Sequence, residues 1–269
     1  MSAAGAVAGR AGAPALVACD LDGTLVDEAG APCPRIAAAL GALSAAGVRI
    51  VLCTGRTVAA TRTGAQRLGL TGGYVVAYHG GVLADLADGR WLERLDLPAG
   101  VAPGLATALL RAGAYVTAYV DDERWEQWAS PAEPTAGTAP ATRLHADLGA
   151  ALEGVAVTRL VVAGAAADLV ADLAARHDGV AVSDAPGGRL EVHHAAADKA
   201  VALARLCARL GVSQAGAVAC GDGAPDVGML RWAGLGIAVA EGDAAARDAA
   251  DLVVSRAHLP AALGALVGA

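Results

Sequence analysis

The chain of 269 residues contains no phenylalanine, and aromatic residues make up only 3% of it. Its hydrophobic content of 55% is therefore carried by Ala, Val and Leu, which fill a core through close backbone approach rather than large rings. No apolar run reaches the roughly 18 residues that a membrane span requires. The Ala/Gly-rich start, with a lone Arg10, lacks the apolar centre of a signal peptide, so residues 1–13 read as a flexible extension. A formal net charge of −7 without any basic stripe argues against nucleic acid as a partner. Cysteine is sparse and odd in number: Cys19, Cys33, Cys53, Cys207 and Cys220 show no paired spacing. That excludes a disulfide framework and points to reduced thiols in a cytoplasmic protein. Cys19, Cys53 and Cys220 each close an expected strand, and they read as small buried hydrophobes rather than metal thiolates. Lysine is the scarcest cation. Of twenty basic residues, all but Lys199 are arginine, which marks Lys199 as a position where a planar guanidinium does not serve.

What is present begins with Val17-Ala18-Cys19-Asp20-Leu21-Asp22-Gly23-Thr24-Leu25. An apolar run suited to a buried strand ends in two carboxylates one residue apart. Side chains alternate along a strand, so a continued strand would point Asp20 and Asp22 to the same side. Gly23 permits a sharp turn directly after them. Two like charges this close call for a cation, and oxygen ligands suit a hard one.

Pro34 to Ala46 reads as a helix closed by Gly47. Val48 to Cys53 is a second apolar strand ending in Thr54-Gly55-Arg56, and a helix from Val58 to Leu68 leads to a third strand, Tyr74 to Tyr78. Strand–helix–strand alternation with buried-type strands signals a parallel sheet. The rhythm then changes. Val82–Leu86 and Arg90–Leu95 read as a hairpin, followed by a helix (Val101–Ala112), a strand (Tyr115–Val120) and a polar, Pro-rich passage from Asp121 to Thr142. A helix around Leu144–Leu152, a strand (Val157–Val162), a helix (Ala166–Arg176) and a strand pair (Val180–Ser183, Arg189–His193) complete this block. The parallel rhythm resumes with a helix from Asp198 to Leu210 and a strand, Ala217–Cys220, ending in Gly221-Asp222. Helices then alternate with the strands Leu235–Val239 and Leu252–Val254. The expected organisation is an α/β, Rossmann-like parallel-sheet core (residues 14–82 and 193–269) with an inserted α/β domain (83–192).

Three core strands thus end in polar turns at Asp20/Asp22, Thr54-Gly55 and Gly221-Asp222. Neighbouring parallel strands bring such ends to one edge, where carboxylates, a hydroxyl and Lys199 can hold a divalent cation and a tetrahedral dianion together. With these residues the chain resembles haloacid dehalogenase superfamily phosphatases, of the Cof-type branch whose cap is inserted between the second and third motifs. Asp20 to Leu25 matches the first motif, Thr54-Gly55-Arg56 the second, Lys199 the third, and Gly221-Asp222 with Asp226 and Met229-Leu230 the fourth.

The resemblance implies a Mg²⁺-dependent phosphatase acting on a small phosphorylated metabolite such as a sugar phosphate. Asp20 is then the nucleophile that forms an aspartyl-phosphate, and Asp22 the acid/base. Thr54, Gly55, Arg56 and Lys199 bind the phosphoryl group. Mg²⁺ takes Asp20, the main-chain carbonyl of Asp22, and Asp222, with Asp226 in support. Two other readings share the motifs: a phosphomutase using the same aspartyl-phosphate, and a protein that binds phosphometabolites without hydrolysing them. Arg56 either clamps phosphate or braces the cap. His193 and His194 read as the tail of a cap strand, and Trp125 and Trp128 as packing or substrate contacts. The chain departs from the family at Pro225 and His79, where many members carry Asn, and at Ala195-Ala196-Ala197, which replaces a glycine-rich consensus.

Overall fold

The structure is a computed structural model that describes residues 13–27, 29–127 and 142–268. Most of the expected N-terminal extension, much of the Pro-rich passage and Trp128 lie outside the described residues. The chain forms two compact units, one running to Glu93 and resuming at Asp198, the other Arg94–Ala197.

The first unit begins with β1 (Leu16–Cys19), α1 (Ile36–Ala45), β2 (Arg49–Cys53), α2 (Val58–Arg67), β3 (Tyr74–Ala77), β4 (Val82–Asp85) and β5 (Trp91–Arg94). The second holds α3 (Val101–Arg111), β6 (Tyr115–Val120), β7 (Glu123–Gln127), β8 (Thr142–His145), α4 (Leu148–Ala151), β9 (Arg159–Ala163), α5 (Ala167–Ala174), β10 (Val180–Ala185) and β11 (Arg189–His194). The first unit closes with α6 (Lys199–Leu210), β12 (Ala217–Gly221), α7 (Val227–Trp232), β13 (Leu235–Val239), α8 (Ala244–Ala249), β14 (Leu252–Val254) and α9 (Leu259–Ala265).

The eight-stranded sheet of the first unit has the order β14-β13-β12-β1-β2-β3-β4-β5. Pairing is parallel from β14 to β3, and β4 turns back antiparallel along β3. The expected boundary at 82/83 therefore falls at the start of a strand that extends the core sheet, and the unit runs on to Glu93. The return, expected at 193, comes at Asp198 because His193 and His194 finish β11 in the other sheet.

β1 lies at the centre, with β12 on one side and β2 on the other. All four of its residues are buried, and alternation sends Leu16 and Ala18 to the sheet face that α6 covers through Leu203 and Leu206. Each such Leu contributes roughly 1.5–3 kcal/mol by leaving water, which is how a core without phenylalanine holds. Helix α6 is set by Asp198, whose carboxylate accepts from the Val201 amide at 2.9 Å, and it is closed by Gly211 at φ 67°. Its buried stripe is Lys199, Ala202, Leu203, Leu206 and Cys207, so Lys199 continues the apolar face to the sheet edge.

In the second unit a six-stranded sheet has the order β10-β11-β9-β6-β7-β8. One face is apolar, with Val116, Ala118, Leu160, Val162 and Val192 joining α3 and α5 residues in a core. The other carries Tyr119, Thr117, Arg124, Glu126, Arg159 and Glu191 in cross-strand rows. Two strands depart from expectation. β7 lies in the polar passage, and β8 occupies the start of the helix expected around Leu144, which begins only at Leu148 behind the Asp147 cap. No helix among the described residues is long and apolar enough to cross a membrane. All five cysteines are free and buried.

Candidate active site

Three neighbouring strands, β12, β1 and β2, end at the same edge of the sheet. Asp20 follows β1, its amide donating to the Cys220 carbonyl at 2.9 Å, so the β1 turn is tied to the end of β12. Asp20 is buried, and so is Lys199. The Lys199 ammonium donates to Asp20 Oδ1 at 2.6 Å and to Asp226 Oδ1 at 2.7 Å. The second oxygen of Asp226 accepts the amides of Asp222 at 3.1 Å and Gly223 at 3.0 Å. Asp226 is thereby a brace for the β12 turn with both oxygens engaged. Asp222 is held from the other side, where Thr24 Oγ1 donates to its Oδ1 at 2.6 Å.

Glycines make this closeness possible. Gly23 sits at φ 86°, and a Cβ there would fall 2.1 Å from Asp222 Oδ2. A Cβ on Gly221 would fall 2.5 Å from that of Asp226. The first position also requires the left-handed region that L side chains avoid.

Burial pushes the Asp20 carboxyl up; Lys199 opposes this and Asp226 and Asp222 add to it, leaving Asp20 at about 8. Burial works against the Lys199 charge, yet the two carboxylates hold its ammonium above the ordinary lysine range. Burial likewise raises Asp222, against the Thr24 hydrogen bond. Asp20 and Asp226 thus share one ammonium, while Arg256 also bears on Asp222.

The donor set fits a hard divalent cation. Asp20, Asp222 and Asp226 each bring a carboxylate oxygen within 4.8 Å of the others. With Asp226 committed to Lys199 and two amides, the oxygens of Asp20 and Asp222 are the ones that would hold it. The Asp22 side chain is not in this group. Its Oδ2 accepts from Arg56 Nε at 2.8 Å and its Oδ1 pairs with the same guanidinium. Among sequence-expected residues, the structure therefore gathers Asp20, Lys199, Asp222 and Asp226, and joins Asp22 to Arg56 as a separate, half-exposed pair.

Thr54 follows β2 and is buried; its amide donates to the Val76 carbonyl at 2.8 Å and its hydroxyl accepts the Arg56 amide at 3.2 Å. Thr24, left without a role by sequence reasoning, joins the cluster through its bond to Asp222. Its signal was a small hydroxyl immediately after the acidic turn.

A model of the haloacid dehalogenase-like hydrolase family matches residues 17–259. The chain belongs to this family. A Bacillus subtilis (strain 168) protein named "Putative phosphatase YxeH" is 26% identical over 235 residues, covering 84% of this chain and 87% of the relative. A haloacid dehalogenase-like hydrolase from Bacteroides thetaiotaomicron superposes with a TM-score of 0.80 at 24% identity, over 93% of this chain and 97% of that one. The HAD subclass IIB sugar phosphatase BT4131 gives a TM-score of 0.72 at 17% identity, over 91% and 94% of the two chains. At these identities the structural likeness speaks for the fold alone.

Proposed function

We propose that this hydrolase is a Mg²⁺-dependent phosphatase that cleaves a small phosphorylated metabolite, a sugar phosphate being the class favoured, through an aspartyl-phosphate. The observation that carries the reading is the buried Lys199 ammonium bonded to both Asp20 and Asp226. A charge-compensated carboxylate at the end of the central strand is what attack on a phosphoryl group demands. The relatives' names, a putative phosphatase and a sugar phosphatase, point the same way.

In this reading an Asp20 oxygen attacks phosphorus and the ester P–O bond breaks. Asp22 gives its proton to the departing alkoxide and later takes one from the water that hydrolyses the acyl-phosphate, releasing inorganic phosphate and restoring Asp20. Lys199 offsets charge on Asp20 and on the phosphoryl oxygens. Thr54, Gly55 and Arg56 receive those oxygens. Asp20, Asp222 and the Asp22 carbonyl would hold Mg²⁺, which when bound would screen the repulsion between carboxylate and dianion.

Both Asp22 oxygens accept from Arg56, and a protonated carboxyl keeps only one of them as a full acceptor. Arg56 therefore has to turn from Asp22 toward the arriving phosphate for the acid to act. The inserted unit is the cap in this scheme, and the five free thiols favour a cytoplasmic setting. The test is release of phosphate from a generic aryl phosphate with and without Mg²⁺, alongside Asp20→Asn. Loss in the variant is expected; undiminished turnover would sink the mechanism.

A further inference from the structure

The chain contains no asparagine, the residue that best tolerates the left-handed region after glycine. Two consecutive bulky residues nevertheless occupy it after β3: Tyr78 at φ 51° and His79 at φ 54°. Such backbone is costly and persists where surroundings over-determine it.

The surroundings here are the second-motif loop and the start of α6. The Tyr78 amide donates to the Arg56 carbonyl at 3.1 Å and the His79 amide to the Thr54 carbonyl at 3.0 Å. On the far side Gly80, at φ 105°, approaches Asp198 so closely that a Cβ would lie 2.3 Å from its carbonyl oxygen. The turn is thus pressed between Thr54–Arg56 and the residue that caps the Lys199 helix. The His79 ring fills the last space. A Cβ on Gly55 would fall 2.2 Å from its Nε2 and 2.4 Å from its Cε1. The imidazole, half-buried, lies where a side chain of residue 55 would otherwise stand.

We infer that His79 is a positioning residue for anion binding: its ring, packed on Gly55, holds the Thr54–Arg56 loop in the conformation that receives a phosphoryl group. The inference rests on the phosphatase reading for its meaning, but its geometry is independent of turnover. Two consequences follow from the contact. Removing the ring leaves a hole beside Gly55 and lets the loop relax, which weakens anion binding more than the chemical step. Adding a methyl to Gly55 forces ring and loop apart, and removing the ring should relieve that clash.

The experiment is calorimetric titration of the full chain with inorganic phosphate in the presence of Mg²⁺, with aryl-phosphate kinetics in parallel. The variants are His79→Gly, His79→Asn, Gly55→Ala and the double variant Gly55→Ala/His79→Gly. Glycine and asparagine both accept the left-handed backbone, so these changes remove the ring and keep the turn. Thermal unfolding of each variant verifies that it folds. Expected are phosphate binding about tenfold weaker in His79→Gly and His79→Asn, an equal rise in KM, and kcat within about threefold, the tenfold being about 1.4 kcal/mol. Gly55→Ala should bind more weakly still, and the double variant more tightly than Gly55→Ala. Phosphate binding within about twofold of the parent in both ring-less variants would overturn the inference. So would a double variant no better than Gly55→Ala. Should the parent bind phosphate yet hydrolyse no ester, the phosphatase reading fails while the binding series still decides the role of His79.

Discussion

A lone lysine among nineteen arginines meets its explanation at atomic scale: an ammonium fits between Asp20 and Asp226 at 2.6 and 2.7 Å, and Lys199 is 3% exposed. A planar guanidinium has neither the room nor the donor geometry there. Lys199→Arg should therefore lower kcat by at least about 100-fold in a phosphate-release assay. Lys199→Met should also destabilise the fold by about 3–5 kcal/mol in urea unfolding, because it strands buried carboxylates. Gly23→Ala should weaken Mg²⁺ binding, seen by titration, and cost about 1 kcal/mol or more, since it adds both a strained φ and a clash with Asp222. The raised Asp20 carboxyl sets a pH dependence. Between the ordinary carboxyl range and about 8, folded Asp20 keeps a proton that the unfolded chain has released. Without metal, the stability this proton supplies is full below that window and falls as pH rises through it. In the proposed site Mg²⁺ would displace the proton, so the Mg²⁺-induced rise in melting temperature should grow from about pH 6 to about pH 8, by up to roughly tenfold in affinity per unit. A rise in melting temperature independent of pH would count against Asp20 as a ligand.

At the scale of elements, the central parallel strands were legible because β1, β12 and β13 are buried at every position and read as apolar runs bounded by Gly or polar turns. β7 was not legible, for the opposite reason. In Glu123–Gln127 the buried positions are Arg124 and Glu126, so the alternation is inverted and the strand reads as a polar loop. β8, with its exposed Thr142, Arg143 and Leu144, is an edge strand with no buried face to signal it. The candidate site was legible in its acidic and basic residues, whose chemistry is carried by type and spacing. Its hydrogen bonds were not: nothing in the spacing gives Thr24 to Asp222, or Arg56 to Asp22. The polar face of the six-stranded sheet makes its own prediction. Arg159 donates to Glu191 at 2.8 Å and lies over the Tyr119 ring, with both charged side chains at most 10% exposed. Arg159→Met should cost about 3–5 kcal/mol because it takes a buried charge partner from Glu191, and Arg159→Met/Glu191→Leu should recover most of it. A double-mutant cycle by urea unfolding measures this. Equal destabilisation of the single and double variants would show that packing, rather than charge pairing, holds this face.

For the molecule as a whole, the two units differ in how the chain writes them. Arg94–Ala197 is one continuous stretch with its own apolar cluster around Val116, Leu160 and Val192, whereas the other unit is assembled from two separated segments. A fragment spanning 94–197 should therefore fold alone, with cooperative thermal unfolding by circular dichroism. A non-cooperative melt would show that it depends on the rest of the chain. Every residue proposed to act on the phosphoryl group or to hold the metal (Asp20, Asp22, Thr54, Gly55, Arg56, Lys199 and Asp222) falls in the segments on either side of it. The seams at 93/94 and 197/198 are therefore also natural splice points for heredity. A lineage can exchange, lengthen or erode this middle stretch of such a gene while inheriting the proposed reactive centre intact, so ancestry traced through the outer segments and ancestry traced through the middle need not be the same tree.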